Sequence, residues 1–206
     1  MEELRVLARL NEATQAHHAS ADGDIDRFLF KPDVAVADYR AFLARVYGFL
    51  VPVEAALALT PGLDEVIDLQ ARAKAVLVVH DLMALGLSMT EVNELSQCQT
   101  VPAFRGPAEA LGWMYVIERP VLASAVLRGH LATFLRAEMA YAAQYFACYA
   151  GQVGAMWREL GDAMDRIAYS AMLEERIVAS AQQGFRALHQ FQSHDLAERA
   201  AIRIAG

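Results

Sequence analysis

Apolar residues return every three or four positions along almost the whole chain, Pro and Gly fall mainly between these stretches, and no alternation of period two lasts long enough to make a strand. That spacing places apolar side chains on one face of successive helices. It predicts an all-α fold, a single-domain bundle of about eight helices. The expected helices lie near 2–20, 35–59, 63–86, 88–97, 106–118, 120–148, 151–168 and 170–193. Several boundaries carry turn chemistry. Ser20-Ala21-Asp22-Gly23-Asp24 is a small, turn-forming run expected to end the first helix, and Thr60-Pro61-Gly62 separates the second from the third. Ser88 with Glu91 three residues on has the form of a capping box. Pro102 and Gly106-Pro107 bracket a loop before the central helix. No repeat, low-complexity tract or linker divides the sequence, so one domain is expected over 1–206.

Composition narrows the function classes. The 206 residues are 56% hydrophobic, enough for one large core or an apolar cavity, while 18 basic against 25 acidic side chains give a net charge of −7 with no basic block. A chain so charged lacks the footprint for nucleic acid or an anionic membrane surface. Every long apolar run is interrupted by charge, as where Ala75–Val79 meets His80-Asp81, and none reaches the ~18 uninterrupted apolar residues of a membrane span. Cys98 and Cys148 stand far apart, which argues against a disulfide scaffold or structural zinc site and for ordinary thiols in a reducing cytoplasm. The opening Met1-Glu2-Glu3-Leu4-Arg5 is unlike a basic-then-apolar secretory leader, so a cytoplasmic location is expected.

The first helix offers the sharpest candidate chemistry. Leu4, Leu7 and Leu10 form a stripe, and at about 100° per residue Thr14 and His18 each fall about 20° from its centre, His17 about 80°. His18 is therefore expected to point inward and His17 to lie at the margin. A neutral imidazole fixed on a rigid helix suits a metal such as iron in a macrocycle. An inward histidine bonded to a backbone carbonyl satisfies the same pattern, and the residues alone leave both readings open.

Leu10-x-Glu12-Ala13-Thr14-x-x-x-His18 resembles the heme oxygenase signature, in which a Leu-x-x-Ala-Thr helix carries the axial histidine four residues after the threonine. Further segments follow in the order of the bacterial branch of that family. Tyr39-Arg40-x-Phe42-Leu43-x-x-x-Tyr47-Gly48 with Pro52-x-Glu54 is similar to its second helix, and Lys74-x-x-x-Leu77-x-x-His80-Asp81-Leu82-x-x-Leu85-Gly86 to its third. Leu111-Gly112-x-x-Tyr115-Val116-x-Glu118 resembles the start of its distal helix, and Tyr149-x-Gly151-x-x-Gly154-x-x-Trp157 a later segment. The resemblance implies the family's helical fold with a kinked distal helix. It also implies heme b as substrate and cofactor, with His18 as the axial ligand of the heme iron. Thr14, Tyr115, Arg119 and Ala123 would border the pocket, and no catalytic side chain is assigned, because protons would arrive through ordered water. Tyr39, Phe42, Tyr47 and Phe49 read as ordinary packing, and Asp81 as a capping or paired carboxylate.

The chain departs from the pattern on the distal helix. Where the family continues Gly-Ser-x-Leu-Gly, with glycines that let backbone approach the ligand, this chain has Arg119-Pro120-Val121-Leu122-Ala123. Pro120 keeps a kink by another route, since it has no N–H for the carbonyl of Val116. A guanidinium at 119 needs a partner such as Glu118, a propionate or water, or an outward direction, and the kink hides which. Arg9, Arg166 and Arg186 are the cations considered for the propionates, each equally suited to a solvated helix face.

Three functions follow. The first is oxidative cleavage of heme to biliverdin, iron and carbon monoxide, with electrons from an external donor such as a ferredoxin or flavin reductase. The second is a heme or bilin binder or sensor in which the altered distal helix has abolished turnover. The third is a helical scaffold with a closed core. No paired Glu-x-x-His segments supply a di-iron cage, and neither cysteine is placed as a nucleophile.

Overall fold

The computed structural model of the chain describes residues 4–205, and the side chains of these residues other than Ser20 and 194–205. Among them the order is α1 (Arg5–Phe28), α2 (Val36–Ala58), α3 (Ala75–Ala84), α4 (Met89–Asn93), α5 (Pro107–Glu118), α6 (Ser124–Phe134), α7 (Glu138–Tyr141), α8 (Val153–Ile167) and α9 (Ala171–Ala205). Three 3-10 turns, Gln70–Arg72, Arg119–Ala123 and Tyr145–Ala147, join them, and no strand is present among the described residues. The all-α fold with a kinked distal helix is as expected.

The short central helix α5 organises the rest. Every residue from Ala110 to Glu118 is buried, so it is apolar all round and must be enclosed on all sides. Helices α2, α8 and α9 pack against it. Its closest approach is to α9 at Gly112, where an added Cβ would stand 2.4 Å from the Ile177 carbonyl oxygen and 2.8 Å from the Ala181 nitrogen. Only a residue without a Cβ lets two backbones meet there. Gly151 serves differently, holding a φ of 75° in the turn before α8, a conformation that other residues adopt at a cost.

Two helical runs, Val36–Ala58 and Pro107–Phe134, are long and apolar enough to cross a membrane by length and composition, but 56% and 67% of their most apolar windows are buried inside the fold. Their apolarity is used in the core.

Four expected boundaries are corrected by tertiary contacts. The first helix does not end at Ser20–Asp24 but runs on to Phe28, because Asp24 is buried and accepts a 2.7 Å bond from Arg45 Nε on α2. Burial of this pair, with Ile25 and Phe28 packed on the core, overrides turn propensity. The start predicted at residue 2 lies outside the described residues. The helix expected over 63–86 forms only from Ala75. Before it, Asp68 takes the N–H groups of Gln70 and Ala71, and Glu54 takes those of Lys74 and Ala75, offering the backbone side-chain partners in place of helical ones. The stretch over 88–97 is helical only at Met89–Asn93, though its Ser88 and Glu91 exchange the expected reciprocal bonds. The long helix expected over 120–148 breaks into the 119–123 turn, α6, α7 and the 145–147 turn. Pro120 interrupts it first. Asp81, fully buried, then accepts the N–H groups of Gln144 and Tyr145 at 2.9 Å each.

Candidate functional site

The seam between α1 and the α5 to 119–123 wall carries most of the residues singled out in the sequence. Thr14 is fully buried, and its hydroxyl donates to the Leu10 carbonyl at 2.7 Å. That commits the hydroxyl's single proton. His18 Nε2, 3.0 Å from the same oxygen, is then the donor of that contact, with the proton on Nε2. The Tyr115 hydroxyl of α5 lies near enough to Thr14 for that side chain to oppose the rise in its pKa, so Thr14 faces the central helix as well as the histidine.

One turn further on, Arg119 reaches back across the seam and holds Asp22 as a fork, Nη1 to Oδ1 at 2.9 Å and Nη2 to Oδ2 at 3.2 Å. The two elements thus form a ladder. Thr14, His18 and Asp22 succeed one another at four-residue steps on α1, Tyr115 and Arg119 do the same opposite, and His18 lies between the Thr14–Tyr115 and Asp22–Arg119 rungs. Its ring is half-buried and tilted against Phe185 of α9, while the His17 ring stacks parallel to that phenylalanine. Burial, then the Arg119 charge, lower the His18 pKa, with Asp22 opposing. The ring is therefore neutral near pH 7, the form in which imidazole ligates a metal. Tyr115 is buried, and its hydroxyl is pushed above the usual tyrosine range by that burial.

Beside the ladder lies an open cleft of about 790 Å³, lined from α1 by Leu4, Leu7, Ala8 and Asn11, from the distal wall by Tyr115, Arg119 and Leu122, and from α8 by Trp157, Arg158 and Asp162. The structure brings Tyr115 and Arg119 to this space. It does not bring His18 to it, since α1 lines the cleft with Leu4 to Asn11 and the ring is bonded to Thr14. Ala123 is exposed and is not part of the lining. The wall is thin. Arg119 and Leu122 face the cleft, whereas Pro120 lines an inner, mostly apolar cavity of about 70 Å³ with Phe49, Val116 and Ile117.

Glu118 does not pair with Arg119. It is buried in a separate cluster, accepting Lys74 Nζ at 2.7 Å and the Tyr149 hydroxyl at 2.9 Å, with Arg72 Nη1 at 3.7 Å. The carboxylate roots the distal wall to the segment before α3 and to the turn before α8.

Of the three arginines considered for a carboxylate ligand, Arg9 is held by Glu174 and Glu175, Arg166 donates to the Val66 carbonyl, and Arg186 is exposed on α9. None of them lines the cleft. Sequence reading missed Asp22, hidden in an apparent turn, and Arg158, an exposed cation that lines the cleft and makes no ion pair among the described residues. The spacing of Arg158 one position after Trp157, a residue already singled out, was the available signal.

The family model described as heme oxygenase matches residues 4–194. The chain belongs to the heme oxygenase family. No curated protein matches the chain in sequence. Membership makes the protein heme-oxygenase-like in fold and function class, with heme as the family's substrate.

Proposed function

We propose that this heme oxygenase family member binds heme b between α1 and the 119–123 wall, with His18 as axial ligand, and that it cleaves the macrocycle oxidatively to biliverdin, iron and carbon monoxide. The observation that carries the reading is the cleft. Its volume of about 790 Å³ lies within the size of small-molecule sites, and it opens beside the helix that carries His18.

The donor set suits the ligand. Leu4, Leu7, Leu122 and the Trp157 ring supply an apolar bed, Tyr115 supplies a hydroxyl, and Arg158 offers a guanidinium fork for a propionate. When bound, heme would supply the iron that reacts with dioxygen, with electrons from a ferredoxin or flavin reductase outside the chain. The chain's own part is to bind and orient. With its proton on Nε2, His18 carries its lone pair on Nδ1, and it would offer that nitrogen, or Nε2 after release of Thr14. Thr14 keeps its bond to Leu10, and Tyr115 keeps the two helices in register. Pro120 maintains the bend that a glycine gives elsewhere in the family. A single domain over 1–206 and a cytoplasmic setting belong to the same proposal.

A second reading, heme or bilin binding without turnover, is favoured by one feature. Arg119 presents a large side chain to the cleft at a position where the family has a glycine. Hemin titration followed by reductant and oxygen separates the two. Turnover predicts a shifted Soret band that gives way to a verdin spectrum. A stable Soret complex that yields no bilin establishes the second reading, and no spectral change removes both.

A further inference from the structure

We infer that the cleft is a site for a metal-free, open-chain tetrapyrrole acid, recognised through Trp157, Arg158 and Asp162 of α8. The inference rests on the reading of the cleft as a tetrapyrrole site and is separate from the assignment of His18. Heme iron takes its axial ligands from His, Cys, Met or Tyr side chains. The first three are absent from the described residues of the lining. Tyr115 is 1% exposed, and burial pushes its hydroxyl above the usual tyrosine range, so it keeps its proton and is no phenolate ligand. The lining as it stands recognises a ligand by its carbon frame and polar edges, and asks nothing of a metal.

The α8 wall supplies both kinds of contact. The Trp157 ring lies 5.6 Å from that of Tyr115, and Tyr115 in turn meets Phe185 edge-on at 6.1 Å. The indole is thus anchored by ring contacts and offers a fixed aromatic bed, with Leu7 of α1 and Leu122 of the distal wall lining the same space. Arg158 and Asp162 stand one helical turn apart, both exposed and neither in an ion pair among the described residues. Arg119, the other guanidinium of the lining, is committed to Asp22. Arg158 is then the free fork for a carboxylate. Asp162 is an acceptor, and heme has no donor for it, because its pyrrole nitrogens face the iron and carry no hydrogen. An open-chain tetrapyrrole without metal keeps N–H groups along its inner edge. A cation and a carboxylate side by side match a ligand that presents both an acid and an N–H edge, and heme presents only the first.

The test uses the full chain with biliverdin, metal-free protoporphyrin IX and hemin as probes, each followed by the absorbance and induced circular dichroism of its own visible band. Biliverdin should bind at one per chain, with the same affinity in His18→Ala. Arg158→Gln and Asp162→Ala should each weaken it by roughly two- to fivefold, the scale of one exposed charge contact. Asp162→Ala should weaken biliverdin more than hemin. Melting temperatures close to that of the parent chain show that the variants are folded.

Hemin binding without biliverdin binding overturns the inference and leaves the heme reading standing. Biliverdin binding with no hemin complex keeps the inference and overturns the heme reading. Loss of biliverdin in His18→Ala, with parent affinity in Arg158→Gln and Asp162→Ala, overturns the inference, because the ligand then sits away from α8. Protoporphyrin IX bound as tightly as biliverdin overturns the open-chain form, since the N–H groups of a closed ring point inward, away from Asp162.

Discussion

Glu118 and Arg119 are neighbours in the chain and opposites in design. Glu118 is 3% exposed and shares its carboxylate among Lys74, Tyr149 and Arg72, all themselves buried. Arg119 turns the other way, to the seam, and meets the carboxylate of Asp22 where water reaches both. The first arrangement is costly to disturb, because removing one partner strands desolvated charge. The second contributes little to stability and can open and close. One distal wall therefore has a fixed root and an adjustable tip, divided at the single peptide bond before Pro120's neighbour. The difference teaches that a helix end can be anchored by one residue and left movable by the next, without glycine at either.

The largest expected effect lies at the root. Glu118→Gln takes from buried Lys74 the carboxylate it is bonded to and leaves Arg72 with Glu159, and should cost about 3–5 kcal/mol in chemical denaturation; a loss no larger than that at Arg119 would erase the contrast. Tyr149→Phe removes one charge-assisted bond from the same carboxylate, and an expected loss of about 1.5 kcal/mol should appear in the same assay. At the tip, Arg119→Gln should cost less than about 1 kcal/mol, and its effect should shrink further at high salt, as follows for a half-exposed pair. A salt-independent cost would mean that the pair is more deeply buried in solution.

The smallest effect concerns pH. Folding lowers the His18 pKa, chiefly by burial. The unfolded chain then holds more protons than the folded chain below the ordinary imidazole value of 6.5. Stability falls as pH drops through that value, and the loss stops growing once the lower, folded pKa is passed. Comparing denaturation of the parent chain and His18→Ala between pH 7 and 5 should isolate this small difference. An identical pH profile would place the ring in fuller contact with water.

Much of the fold was legible because periodicity reports which face of a helix is buried. Leu7, Leu10 and Thr14 lie where the stripe on the first helix projects them. The spacing around His18 showed that Thr14 and His18 share one helix face, since local spacing survives in a single element. What could not be read depends on contacts between distant residues. Asp22 sits in a stretch rich in turn formers, and only the pairing of Asp24 with Arg45 keeps that stretch helical. The direction of Arg119 was hidden because Pro120 resets the helical phase. The Glu118 cluster draws on residues 72, 74, 118 and 149, and no window of sequence contains them together. Nor does spacing reveal that the Thr14 hydroxyl would engage Nε2 of the ring.

The central claim is that His18 supplies the axial ligand to a heme seated between α1 and the distal wall. Titration of the parent chain and of His18→Ala with hemin, followed at the Soret band, tests it most directly. The account predicts a saturable, shifted Soret band at one heme per chain that is lost in His18→Ala while its melting temperature stays near that of the parent. The same band in both proteins, or in neither, would contradict it.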